Sequence, residues 1–154
     1  MPIQQAQDKQ KIIIFDFMRT LYDPDEKSIV RGTLELLKSL RNAGFILILI
    51  STEIGNKADP ITQTGITPYF EKIILTREKS ERDFKETQTD VPHDPQASYV
   101  IGDRVRGEIK IGNLCGYQTI WVKKGKFAAQ DPRTAAETPR YTVTELPQIK
   151  RIVA

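Results

Sequence analysis

Asp16 closes the apolar run in KIIIFD, and Asp103 closes another in SYVIGD, with Glu108 five residues further on. Ser51 and Thr52 end the run FILILIST, and Lys79 follows KIILT just before a helix start. Two hard oxygen ligands, Asp16 and Asp103, suit one Mg²⁺ that keeps several waters and binds phosphate, and Glu108 can hold a metal-bound water. A carboxylate can also act as a nucleophile and become an aspartyl-phosphate. Its own charge repels a phosphate dianion, so a metal and a compact ammonium such as Lys79 must offset that repulsion. Ser51 can donate a hydrogen bond to a phosphate oxygen. Preorganised charge and donors of this kind are the main catalytic contribution in phosphoryl transfer.

Taken singly, each residue has an ordinary structural use. An Asp after an apolar run serves as a turn residue or helix cap, and Gly-Asp is a common turn. Ser51 reads as a cap, Lys79 as a solvated side chain and Glu108 as a surface helix residue. His93 in VPHDP reads as a loop histidine, and Cys115 and Trp121 as packing. What points to chemistry is the ordered set, with every member at the same end of a strand.

The strands that must carry this set are uniformly apolar: KIIIFD, FILILIST, KIILT, SYVIGD and QTIWVKK. Strands without polar alternation are buried on both faces, as in a parallel sheet between two helical layers. Helical patterns alternate with them. TLELLKSLRNAG has Leu34, Leu37 and Leu40 on one stripe, with Thr33 as N-cap and Gly44 as the stop. SERDFKET has capping-box spacing between Ser80 and Asp83, which places a helix start near Glu81. YTVTELPQIKRIV reads as a short strand and then a helix. In STEIGNKADPITQTGI, Pro60 starts or kinks a helix. The stretch from Ala128 to Pro139 reads as an irregular connection. The expectation is a doubly wound α/β fold with a mostly parallel sheet, the first strand central. Asp16, Ser51, Lys79 and Asp103 then meet beyond the carboxyl ends of the strands.

Length and composition agree. A chain of 154 residues suits one domain, residues 1–154, with residues 1–10 as a polar tail, and buries about 70% of its unfolded surface. Charged residues at 28% and hydrophobic ones at 39% describe an ordinary soluble globular protein. The single cysteine, Cys115, cannot form an internal disulfide, which fits a reducing cytoplasm. The polar N-terminus is no signal peptide, and the longest apolar run, Phe45–Ile50, is far too short to span a membrane. A net charge of +3 does not argue for a nucleic-acid partner. Yet Arg19, Arg104, Arg106, Lys123, Lys124 and Lys126 fringe the strand-end edge, which favours an anionic substrate. Oligomeric state is left open.

With these residues in place, the chain resembles the haloacid dehalogenase superfamily, whose members are mostly Mg²⁺-dependent phosphatases. The resemblance runs from about Lys11 to Phe127. The family's first motif, D-x-D-x-T after an apolar strand, matches IIIFDFMRTL at Asp16 and Thr20. Its second matches Ser51, its third matches Lys79 with Lys85 as the alternative, and its fourth matches GDRVRGE with Glu108 in place of the last Asp. The resemblance implies that Asp16 is nucleophile and metal ligand, and that Thr20 and Ser51 support the phosphoryl group. It also implies that Lys79 neutralises charge, Asp103 binds Mg²⁺ and Glu108 assists it. Thr52, Arg19 and Arg104 stand where they can meet the rest of a phosphorylated small molecule or macromolecule.

One position departs from the family. The residue two after the nucleophile is Met18, where the phosphatases have the Asp that protonates the leaving group and then activates water. The family's metal contact at this position is a backbone carbonyl, so Met18 can keep that role. Three readings follow: a phosphatase with impaired or relocated acid/base chemistry, a phosphate- or Mg²⁺-binding interaction module, or a dehalogenase. Dehalogenases of the family use no metal and lack the acidic fourth motif, so Asp103 and Glu108 argue against the last. The gaps after Asp16 and after Ser51 are too short for a cap domain of typical size, which implies an open site.

Overall fold

The structure is a computed structural model and describes residues 10–52 and 60–153. Residues 1–9 of the expected polar tail, residues 53–59 and residue 154 lie outside the described residues. Six strands form the main sheet: β1 (Ile12–Phe15), β4 (Ile46–Thr52), β5 (Lys72–Thr76), β6 (Tyr99–Gly102), β7 (Gln118–Val122) and β8 (Tyr141–Val143). Their order is β5-β4-β1-β6-β7-β8, and every neighbouring pair is parallel. The expected parallel sheet with a central first strand is therefore what the chain builds. Between β1 and the first helix lies a small antiparallel hairpin, β2 (Tyr22–Asp23) and β3 (Ser28–Ile29).

The two-residue period of β1 decides which layer each side chain joins. Ile13 and Phe15 pack with Leu36, Leu37 and Leu40 of α1 (Thr33–Asn42) and with Ile149 and Val153 of α5 (Ile149–Val153). Ile12 and Ile14 point to the other side. They pack with Phe84 of α3 (Glu81–Asp90), with Tyr117, and with Ile111 of α4 (Lys110–Leu114). A strand buried on both faces has no polar position to spare, which is why the runs read as continuous. A further helix, α2 (Pro60–Gln63), opens on Pro60, at the first helical position where a missing N–H costs nothing. Among the described residues no helix is long and apolar enough to cross a membrane.

Three expectations need correction. Leu34 is exposed, and the buried stripe of α1 is Thr33, Leu36, Leu37 and Leu40, spaced i, i+3, i+4, i+7. Thr33 is not the N-cap. That position belongs to Gly32 in the left-handed region (φ 89°), and the Thr33 hydroxyl instead donates to the carbonyls of Leu21 and Val30. The gap between Asp16 and the second strand, expected to be mostly helix, holds the β2–β3 hairpin as well as α1. The hairpin turn is built on Asp23, whose Oδ1 accepts from the backbone N–H of Asp25 and Glu26.

Candidate active site

Asp16 continues the ladder of β1, its N–H donating to the Ile101 carbonyl at 3.0 Å. The chain then curls through a tight turn in which Leu21 and Tyr22 N–H both donate to the Phe17 carbonyl. That turn returns Thr20 over Asp16, and the Thr20 hydroxyl donates to Asp16 Oδ2 at 3.2 Å. Arg19, inside the turn, takes a left-handed conformation (φ 63°), uncommon for a residue with a Cβ.

The neighbouring strand end is fixed from two sides. Glu108 folds back across Gly102, and its Oε1 accepts from the N–H of Asp103 at 2.9 Å and of Arg104 at 3.1 Å. The indole N–H of Trp121 on β7 donates to the Asp103 carbonyl at 2.9 Å. A Cβ on Gly102 would overlap the Glu108 side chain, so glycine is required here for close approach. Gly102→Ala should expel Glu108 and lose both N–H bonds, destabilising the protein by about 1–3 kcal/mol. An unmoved denaturant midpoint would show that Glu108 is not held there.

Lys79 sits in the loop between β5 and α3, next to the Ser80–Asp83 capping box that starts α3 at Glu81. Its ammonium pairs with the Asp16 carboxylate and lies 3.4 Å from Glu108 Oε2. Its side chain is only 9% exposed, so the pairing is shielded from water. Burial alone would lower the pKa of Lys79, but Asp16 and Glu108 outweigh it and raise the value, so the residue stays charged. Burial raises the pKa of Asp103 to about 9, with Asp16 and Glu108 adding to the effect. Glu108 is raised too, by burial and then Asp16, against the opposing pull of Lys79.

Asp16, Asp103 and Glu108 each place a carboxylate oxygen within 4.8 Å of the others, and all three are buried. Asp103 Oδ2 is buried without a hydrogen-bond partner. Three hard oxygen donors and one orphaned carboxylate oxygen fit a divalent cation of the Mg²⁺ type.

The other expected residues fall in different places. Ser51 is buried at the end of β4, its hydroxyl 3.4 Å from the Thr52 carbonyl, and Thr52 is exposed beside it. Lys85 is exposed and lies 3.9 Å from Glu81, so Lys79 and not Lys85 reaches Asp16. Met18 is half-buried and packs against the larger apolar core. Among the fringe cations, Arg106 lies 3.5 Å from Glu137 and Lys124 lies 3.1 Å from Glu145, while Lys123 lies over Trp121. Arg19 and Arg104 lie over the Phe127 ring. His93 is not a plain loop histidine. It is buried, with Nε2 2.6 Å from the Tyr117 hydroxyl and Nδ1 2.6 Å from the Val91 carbonyl. Sequence reasoning missed the roles of Gly102, Trp121 and Phe127. Gly102 alone carried a signal, as the glycine preceding a strand-end aspartate.

Comparison with known proteins places this geometry. A HAD-hydrolase-like family model matches residues 79–149. Glyceraldehyde 3-phosphate phosphatase of Methanopyrus kandleri is 23% identical over 113 residues, covering 70% of this chain and 48% of that protein. The enzyme of the same name from Pyrococcus furiosus is 25% identical over 132 residues, covering 80% and 54%. The chain therefore spans about half the length of the curated relatives it matches. An uncharacterized protein of Listeria monocytogenes serotype 4b has the same fold, with a TM-score of 0.76 at 19% identity, covering 93% of this chain and 96% of that one. A parallel sheet in this order and matches of this kind lead to one likeness: the chain is similar to the HAD-hydrolase-like family, whose model it matches over residues 79–149.

Proposed function

We infer that the protein is a Mg²⁺-dependent phosphoric monoester hydrolase that works through an aspartyl-phosphate at Asp16. The observation that carries this reading is the pairing of Asp16 with Lys79 and Thr20 beside the buried acids Asp103 and Glu108. A carboxylate oxygen of Asp16 attacks phosphorus as the ester P–O bond breaks, and water later cleaves the acyl phosphate. Lys79 offsets the charge of the incoming phosphate, and Thr20 fixes the orientation of the nucleophile. Ser51 donates to a phosphoryl oxygen, while Thr52, Arg19 and Arg104 meet the rest of the substrate. Asp16, Asp103, Glu108 and the Met18 carbonyl would hold the cation, which when bound supplies charge neutralisation at the phosphoryl oxygens. The site carries no cap in this reading, so the substrate itself or another subunit excludes water.

A second reading has a specific observation behind it. Met18 packs into the apolar core and offers no acid or base, which favours a phosphate- or Mg²⁺-binding module without turnover. Phosphate release from a panel of phosphorylated compounds separates the two. Wild type with Mg²⁺ should release phosphate, and EDTA or Asp16→Asn should reduce release at least about a hundredfold, as expected for loss of a nucleophile or its metal. No release from any compound would leave the binding module as the better account.

A further inference from the structure

Arg19, Arg104 and Lys126 converge on one aromatic ring. Their cationic centres lie 5.7, 4.5 and 5.5 Å from the Phe127 centroid. Each distance is within reach of a cation–π contact. None of the three has a carboxylate partner among the described residues. Lys72, Lys79, Arg82, Lys85, Arg106, Lys124 and Arg133 each face an acid. Gathering three like charges without an anion costs free energy, which an anionic ligand would offset. A guanidinium lying on a ring also keeps its N–H edge available for bidentate bonds to a planar or tetrahedral oxyanion.

The two arginines hang from the turns that build the catalytic cluster. Arg104 follows Asp103, and its N–H is bonded to Glu108 Oε1. Arg19 lies in the tight turn between Asp16 and Thr20, with its N–H on the Tyr22 carbonyl. Its left-handed backbone (φ 63°) is one that a bulky residue rarely adopts, so the turn sets that side chain toward the ring at some cost. Phe127 lies on the segment after β7, and its ring is met by Arg19 from the turn after β1 and by Arg104 from the turn after β6.

Resting on the hydrolase reading, we propose that Phe127, Arg19 and Arg104 form a subsite for a second oxyanion, carboxylate or phosphate, on a small phosphate monoester. The protein then selects compact bis-anionic substrates, with Asp16 facing one anionic group and the arginines the other. Phe127 acts as a positioning residue that holds both guanidinia.

The test is calorimetric binding in an Asp16→Asn background, which needs no turnover. The probes are 3-phosphoglycerate and glycerol 3-phosphate, which differ at one end by a carboxylate against an alcohol, together with a 5′-phosphorylated single-stranded oligonucleotide. We expect 3-phosphoglycerate, or the matching 1,3-propanediol bisphosphate, to bind at least about tenfold tighter than glycerol 3-phosphate. Arg104→Gln and Phe127→Leu should each shrink that ratio to about twofold or less. Equal affinities in the parent, or a ratio that survives both substitutions, would overturn the subsite. Tighter binding of the oligonucleotide than of every small probe would overturn it too, since the cations would then serve a polyanion. Phosphate release by the wild type reads the hydrolase separately. A preserved ratio without turnover removes the hydrolase and keeps the subsite, and turnover without a ratio does the reverse.

Discussion

Met18→Asp should raise the turnover of nitrophenyl phosphate, by a fraction of the roughly 10²–10⁴-fold that a positioned general acid/base contributes. The chemistry divides at this residue. Expelling an alcohol from phosphorus needs a proton, whereas an acyl phosphate or nitrophenolate leaves with little help. Hydrolysis of the acyl phosphate at Asp16 then needs a base to activate water, and a thioether offers none. Wild-type protein given acetyl phosphate and Mg²⁺ should therefore accumulate one phosphoryl group, visible by intact mass. Met18→Asp should discharge it, and Asp16→Asn should never acquire it. The gain in rate will fall short of the full range because Met18 packs against the apolar core and an aspartate there must turn outward. No rise in turnover in Met18→Asp, or activity that persists when Asp16→Asn is added, would show that Asp16 is not a nucleophile lacking its partner.

The sheet was legible because its inner strands, β1, β4, β6 and β7, are buried on both faces. Ile12 to Phe15 serve two cores at once, so no polar residue interrupts them, and parallel pairing follows from that uniformity. The cluster was legible because Asp16, Lys79 and Asp103 are charges at strand ends, where apolar patterning makes them conspicuous. The hairpin Tyr22–Ile29 escaped because its strands are two residues each, too short for a period to register. Leu34 was misjudged because an i, i+3 stripe can be drawn through several rows of a leucine-rich helix. The row that faces inward is Thr33, Leu36, Leu37 and Leu40. Trp121 and Phe127 escaped for a different reason. One acts through a single indole N–H on a carbonyl and the other through the face of its ring, and neither use marks the surrounding sequence.

Mg²⁺ affinity should rise by up to about tenfold for each pH unit between pH 6 and 8, because binding must displace a proton from the acidic cluster. The cause is the crowding of Asp16, Asp103 and Glu108 out of water. Burial, followed by the two neighbouring carboxylates, pushes Asp103 up to about 9, and Glu108 is raised as well. The sign for stability follows from the same shift. A carboxyl with a folded pKa above its unfolded value of 3.8 binds more protons folded than unfolded between the two values. Its contribution is thus greatest below pH 3.8 and is lost as pH rises toward 9. A divalent cation removes that loss by replacing the proton. The melting temperature gained on adding Mg²⁺ should therefore be small at pH 6 and larger at pH 8, a difference that cancels every group the ion does not touch. Calorimetric titration in two buffers of different ionisation enthalpy counts the released protons directly. Asp103→Asn should abolish both the proton release and most of the affinity. A Mg²⁺ affinity that is flat across this range would mean that Asp103 is already ionised, and that the orphaned Oδ2 is not the position the cation takes.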